Sequence, residues 1–332
     1  MKLNTLGTTF TRAHAHPKEN VMEQRQSAAH KLAEQLYAAM EQGVAPWQKP
    51  WDASGAGASA MRPRNYTSGR RYRGGNLFAL AIVASENGWG GDWMSSNEAK
   101  RLGGHVRDSE KGKGTLIIRP MVLKDKAGDS AGGEAPERGE EKQKKPRMFF
   151  VSHFVYNEAQ IDGLPVREQA RSIEIPTIES AEAILQAMRE DGMGYNEPSP
   201  DGRAYYRPST DSTSMPARST FASQYDFYAT LMHELGHATM GKDRVARNAT
   251  HYATEELRAE MAATLTCAEL GLPRLEGQLE NHAAYLQSWL REFADKKHKL
   301  VSVASDAQRI ADWLIERAGS KVVARDDEMA VG

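Results

Sequence analysis

A chain of 332 residues, 40% hydrophobic and 26% charged with a mean hydropathy of −0.63, has a soluble globular composition and length enough for two cored domains. No run approaches about 18 apolar residues and MKLNTLGTTFTRAHAHPKEN lacks the apolar core of a secretory signal, so neither a membrane span nor a leader is expected and the chain reads as cytoplasmic. The net charge of −1 hides an asymmetry. Residues 1–160 carry 24 Lys and Arg against 17 Asp and Glu, and residues 161–332 carry 19 against 27; a basic front of this kind points to a polyanion partner.

In chain order, residues 1–20 are polar and read as disordered. From about Gln24 to Gln42, Leu32, Leu36, Tyr37 and Met40 recur at helical spacing with Gly43 as a stop, which predicts an amphipathic helix. A turn-rich stretch loaded with Arg, Trp and Tyr follows, APWQKPWDASGAGASAMRPRNYTSGRRYRGGN. NLFALAIVASENG predicts a helix capped by Asn76 and ended at Asn87-Gly88, and SSNEAKRLGG a short one. Residues 114–123 and 147–157 read as strands, and the charged, apolar-poor 124–146 between them as a flexible loop. A connector places a domain boundary near residue 165. Beyond it come a helix over SAEAILQAMREDG, a small edge sheet over GYNEPSPDGRAYYRPSTDSTSMP, and helices over about 219–240, 253–270, 276–296 and 305–318. The single cysteine, Cys267, excludes a disulfide framework and a cysteine zinc site, and its apolar helical setting predicts a buried thiol.

The back half contains YATLMHELGHATM. On a helix, residues four apart share a face, so His233 and His237 can offer two imidazoles to one ion. Glu234 would then stand where a carboxylate general base takes a proton from water that the ion acidifies. The Met-turn class of zinc peptidases is excluded, because Met240 and Asp243 occupy places where it needs Gly and His. A third ligand is expected on the helix that begins at ATEELRAEMAATL, with Glu256 on the metal and Glu260, one turn on, orienting a ligand histidine. Glu255 competes with Glu256 for the metal, and Tyr252 just upstream is a candidate oxyanion donor. Zinc is the expected ion, with another divalent metal as the alternative; hydrolysis of a peptide bond is the simplest use, and a staple between helices the other.

The front half is built differently. WQKPW sets Trp47 and Trp51 around Lys49, and RPRNYTSGRRYRGGN supplies Arg64, Asn65, Arg70, Arg71, Tyr72, Arg73 and Asn76, while HVRDSEKGKGTL adds Arg107, Lys111 and Lys113. Aromatics that stack on bases, interleaved with cations that follow phosphates, suit single-stranded nucleic acid. No helix-turn-helix pattern or Cys/His finger accompanies them, which argues against sequence-specific reading of a duplex.

In order, GVAPWQKPW, PRNYTSGRRYRGGN, GWGGDWMSSNEAKRLGGHVRDSEKG and FVYNEAQIDGLP resemble the N-terminal domain of ArdC-type antirestriction proteins, also found in TraC-like plasmid primases. YYRPSTDSTSMPARSTFASQYDFYATLMHELGHAT and YATEELRAEMAATLTCAELGLP resemble the zincin-like metallopeptidase domain that accompanies it, so the likeness spans roughly residues 25–318. It implies a protein of conjugative elements that binds single-stranded DNA and protects entering DNA from restriction, with a component of the host restriction system as a protein substrate or partner. It also implies His233, His237 and Glu256 at the metal positions and Glu234 at the general-base position. The departures are Gly75 where an aliphatic residue is usual, HATMG from the second ligand on in place of a more typical His-Trp-Thr-Gly, and the insert at 124–146. The expected organisation is thus α+β in two domains: a disordered 1–20, a single-stranded-DNA-binding α+β domain at 21–165, a mainly helical zincin-like domain with a small sheet at 166–320, and a flexible tail at 321–332. The alternative is a DNA-binding shield whose zinc domain is structural or docks a protein; an ordinary cellular metallopeptidase with an incidental basic domain is a third reading.

Overall fold

A computed structural model of the chain describes residues 17–42, 59–123, 147–165, 177–247, 251–272, 282–317 and 319. Trp47, Lys49, Trp51 and the charged segment 124–146 lie outside these residues.

The front half opens with α1 (Pro17–Glu41), which starts earlier than the spacing predicts. Then come β1 (Arg64–Asn65), α2 (Gly75–Asn87), β2 (Asp92–Met94), α3 (Ser96–Arg101) and β3 (His105–Val106). The strands β4 (Thr115–Leu123) and β5 (Arg147–Asn157) follow, then β6 (Ile161–Asp162). The two predicted strands pair antiparallel from Thr115↔Val155 to Leu123↔Arg147. They extend into a four-stranded sheet of order β1-β2-β5-β4, in which only β1 and β2 run parallel, while β3 and β6 form a separate antiparallel pair. Residues 64–65, 92–94, 105–106 and 161–162 are too short for a periodicity of two to reveal them as strands.

The predicted cap of α2 requires correction. The helix begins at Gly75 with Gly74 at its cap position. Asn76 instead turns its amide to strand β4, donating to the Ile118 carbonyl at 2.7 Å and accepting the Ile118 N–H at 2.9 Å. One side-chain amide satisfies both backbone groups of Ile118, a better use than a single capping bond. Ser95 does cap α3, in a reciprocal box with Glu98.

The rear half is α4 (Thr177–Glu190), strands β7 (Gly194–Asn196), β8 (Tyr205–Arg207) and β9 (Ser212–Ser214), then α5 (Gln224–Ala238), α6 (Tyr252–Glu269), α7 (His282–Phe293) and α8 (Lys299–Arg317). The small sheet has order β7-β9-β8, with β7 parallel and β8 antiparallel to the central strand. The chain is therefore α+β in two parts, the second mainly helical with a small sheet. Among the described residues no helix is long and apolar enough to cross a membrane.

The two parts share one core. Leu32, Leu36 and Met40 of α1 and Phe78 of α2 belong to the same buried cluster as Leu231 and Leu235 of α5, Leu257 and Met261 of α6, and Ile310 and Leu314 of α8. Helix α1 packs against α2 and β5 and also against α7 and α8. Cys267 is buried in this core as a small apolar group.

Candidate metal centre

Helix α5 forms because Ser223 accepts the Asp226 N–H at its start and because Phe227, Tyr228, Leu231, Met232, Leu235 and Ala238 make one apolar face. That face is buried, and it fixes the rotation of the helix so that His233 and His237 point to one side. Helix α6 is buried along most of its length and approaches α5 at Gly236. A Cβ there would meet Ala259 Cα at 3.4 Å and Ala259 Cβ at 3.6 Å, so a glycine facing an alanine sets the helix spacing. Glu256 and Glu260, flanking Ala259 on α6, thereby reach the histidines. A Gly236→Val chain is expected to force the helices apart and weaken metal binding while leaving the β4–β5 pairing intact; calorimetric titration with Zn(II) checks it.

The Nε2 atoms of His233 and His237 lie 3.2 Å apart, and the Glu256 carboxylate spans them, with Oε2 3.5 Å from the first and Oε1 3.4 Å from the second. Behind each ring stands another carboxylate: Glu260 is 3.3 Å from His233 Nδ1 and Glu255 is 3.8 Å from His237 Nδ1. A carboxylate behind Nδ1 favours the proton there and leaves Nε2 a lone pair. Two lone pairs and the Glu256 carboxylate then converge, an arrangement suited to a cation. The three edges also suit one: donors about 2.0–2.1 Å from a tetrahedral ion stand about 3.3–3.4 Å apart. The residues fit a divalent ion.

Without a cation, protons take its part. Burial would lower the His233 pKa, but hydrogen bonds to Glu256 and Glu260 and the charge of Glu234 raise it well above the ordinary imidazole value. His237 is raised likewise, against burial, by Glu255 and Glu256. Burial would raise both glutamates, yet the two histidines hold Glu256 far below the usual carboxylate range, and His237 and Arg247 bring Glu255 to about 2. Glu234 itself is buried next to the cluster.

Of the competing neighbours, the structure sets Glu256 between both Nε2 atoms. Glu255 is held away from that point by cations that the sequence reading does not contain. Arg247 donates to Glu255 at 2.6 and 3.3 Å and to Thr239 Oγ1 at 2.7 Å, and Arg258 donates to Glu255 at 3.2 Å while pairing with Asp306 of α8 at 3.0 Å. Tyr252 stands one turn before Glu256 and is 69% exposed. Glu260→Gln, which removes the charge behind His233, is expected to cost roughly 10- to 100-fold in metal affinity, measured by competition with a chromophoric chelator.

The residues singled out in the front half are scattered over several tasks. Arg64 forms a two-pronged pair with Asp92 at 3.0 and 3.1 Å. Asn65 accepts from the Thr67 and Ser68 N–H groups and donates to Glu98, so it builds the turn. Arg71 pairs with Glu269 at the end of α6, and Arg73 with Asp312 of α8. Tyr72 packs on the cluster around Trp93, Ile117 and Val155. Arg107 donates to the Ala159 carbonyl. Arg70 is exposed, and Lys111 and Lys113 sit on an exposed turn with Asp108 and Glu110.

Residues 26–178 match the family model for the N-terminal domain of anti-restriction factor ArdC, and residues 179–306 match the model for a zincin-like metallopeptidase. The crystal structure of the antirestriction ArdC protein from plasmid R388, in its metal-free form, superposes with a TM-score of 0.66 at 33% identity, over 88% of this chain and 98% of that one. The chain belongs to the ArdC antirestriction family. The Mn(II)-bound crystal structure of the R388 ArdC protein superposes with a TM-score of 0.64 at 32% identity, again over 88% of this chain and 98% of that one. An uncharacterized Sinorhizobium fredii protein, y4eC, is 32% identical over 86% of this chain and 90% of its own length. Two Escherichia coli DNA primases named TraC are 35% and 33% identical, each over 90% of this chain. The chain spans only 20% and 28% of those primases' lengths, so ArdC-like sequence forms a fraction of a larger protein there.

Proposed function

We propose that this ArdC-family chain binds single-stranded DNA through its front domain, protects entering DNA from restriction, and carries a divalent-metal hydrolytic centre in its rear domain, with zinc as the resident ion. The observation that carries the metal reading is the half-buried triangle of two Nε2 atoms and the Glu256 carboxylate, backed by Glu260 and Glu255 and adjoined by Glu234. His233, His237 and Glu256 would hold the ion. When bound, it supplies Lewis acidity that acidifies a water molecule and polarises a carbonyl. Glu234 takes a proton from the attacking water and passes it to the leaving amine, a role suited to a carboxylate beside the cluster but outside the ligand set. Glu260 and Glu255 keep the two rings aimed, and the Tyr252 phenol, exposed one turn from Glu256, offers a donor to a carbonyl oxygen as charge develops there. The substrate is a protein of the restriction system.

The second reading, a DNA-binding shield with a structural ion, draws on the ligands coming from two helices, which an ion would staple. Against it, the R388 relative exists as both a metal-free and a Mn(II)-bound structure, similar to this chain at TM-scores of 0.66 and 0.64. A fold that stands without its ion favours a chemical role for it.

Two measurements test the proposal. Equilibrium dialysis against Zn(II) and Mn(II) is expected to load one ion per chain, and a His233→Ala, His237→Ala protein none; an unloaded wild-type chain would end the metal reading. Anisotropy of a labelled single-stranded oligonucleotide, compared with its duplex over a salt series, is expected to show single-strand preference and a steep salt dependence. Equal binding to both, or none, would end the DNA reading.

A further inference from the structure

The arginine-rich turn at residues 62–73 is the front domain's most basic stretch, yet most of its arginines are committed. Arg64 is held by Asp92, Arg62 and Arg71 reach Glu269, and Arg73 reaches Asp312. The turn fastens the front half to helices α6 and α8. A different face has the chemistry of a strand-binding site. We propose that single-stranded DNA lies along the cleft between α3, the turn after β3 and strand β5, with bases stacked on Phe154 and Tyr156 and phosphates held by Lys100 and Lys111. The proposal rests on the reading of the front domain as a DNA binder and names where that binding occurs.

The cleft has a volume of about 320 Å³, and Ser96, Lys100, His105, Lys111 and Tyr156 line it. Phe154 and Tyr156 are two apart on β5, so both rings project from one face of the sheet. Gly114 lies against both: a Cβ there would come within 3.0 Å of the Tyr156 ring and 3.2 Å of Phe154 Cβ. The missing side chain leaves room for the Tyr156 ring, which is half-buried against the cluster of Tyr66, Met94, Ala99 and Ile161.

Phe154 is 59% exposed. A lone exposed aromatic is ordinary on a protein surface. What sets this one apart is its company: a second aromatic on the same face, and cations at the edge of the adjoining cleft. Aromatic platforms bordered by cations bind single strands without regard to sequence, since every base offers a π-face.

The charges around the cleft are arranged to be displaced. Lys100, on the last turn of α3, is exposed and has no ion-pair partner among the described residues. Lys111 meets Asp108 at 2.6 Å, but both side chains are exposed, and such surface pairs are worth about 0–1 kcal/mol. A phosphate can replace that carboxylate. Glu110 is drawn off by Gln160 at 3.0 Å and Lys113 at 3.6 Å, and His105 stands opposite Asp162 in the β3–β6 ladder.

The test is anisotropy of a fluorescein-labelled oligo(dT) with the full chain and its variants over a salt series. Wild type is expected to bind. Phe154→Ala should weaken binding roughly 5- to 100-fold with little change in salt slope, and Phe154→Trp should restore it. A Lys100→Ala, Lys111→Ala chain should weaken binding and flatten the slope of log K against log salt by about 1.4. Asp108→Asn, which frees Lys111, should tighten binding roughly two- to fivefold at low salt. All four positions are exposed, so thermal melting of each variant should match wild type. Wild-type affinity in Phe154→Ala and in the double lysine variant, with binding lost in Arg70→Ala, would overturn the proposal and place the strand on the arginine turn. No binding by the wild-type chain would overturn the DNA reading itself, and this site with it.

Discussion

On the proposed hydrolytic function, a Glu234→Gln chain is expected to bind a divalent ion, melt as wild type does, and lose roughly 10²–10⁴-fold in hydrolysis. Glutamine keeps the shape of the side chain, so packing on α5 is preserved. His233, His237 and Glu256 are untouched, so the ligand set stays whole. What disappears is a carboxylate able to accept a proton. Metal content by mass spectrometry and transfer of an unmodified plasmid into a restricting host give separate readouts. Full protection by Glu234→Gln with the ion still bound would remove hydrolysis from the function and leave the shield reading. Loss of protection in Glu234→Gln, with oligonucleotide binding unchanged, would tie protection to the chemistry.

The second large effect lies just beyond the ligand helix. The Arg244 side chain is 2% exposed and donates to Asp211 at 2.7 and 2.8 Å, to Asp191 at 2.8 Å, and to the Ala238 carbonyl at the end of α5 at 3.0 Å. It ties the end of the metal helix to the small sheet. Arg244→Met keeps the apolar stem and removes every donor, leaving the carbonyl without this bond and Asp211 with only the Tyr206 hydroxyl at 3.0 Å and the exposed Lys242 at 3.6 Å. Breaking a buried pair on one side costs about 3–5 kcal/mol, a fall in melting temperature on the order of 10 °C. The pH dependence follows from Asp211. Its hydrogen bonds to Arg244, then that to Tyr206, prevail over burial and hold its pKa below the ordinary carboxylate value. A depressed carboxylate stabilises the fold fully above its unfolded pKa of about 3.9 and ceases to do so as pH falls through its folded value. The melting gap between wild type and Arg244→Met should therefore be full at pH 7 and narrow below about pH 4. A gap independent of pH would mean that packing, and not the ion pair, holds the end of α5.

The histidine pair could be read from sequence because a helical repeat converts a spacing of four directly into a shared face. The preference for Glu256 over Glu255 had no such geometric footing, since neighbouring residues on a helix diverge by about 100° and the rotation of α6 is set by contacts with α5 and α8. Arg247 and Arg258, which hold Glu255 off, lie in positions whose charges look like any solvated pair until the fold buries them. The pairing of the arginine turn was hidden for a related reason. Its motif shows the cations, but the acids that claim Arg71 and Arg73 stand 198 and 239 residues further along the chain. Phe154 was hidden as one apolar residue within an apolar strand, because alternation along β5 cannot say which face of the sheet stays open. The long strands and the main helices were legible from periodicity, whereas β1, β2, β3 and β6, of two or three residues, arise from tertiary pairing alone.

The core that runs from α1 through α6 to α8 has a consequence for how such a protein can be inherited. Its two family segments meet at residues 178 and 179, but that join separates sequences and not folding units. A recombination event that carried off either segment alone would deliver half an interior, with the apolar face of α1 or of α8 turned to water. The cargo that can move intact is the pair. In the TraC primases, accordingly, 90% of this chain finds its counterpart, both segments together, inside a protein several times longer.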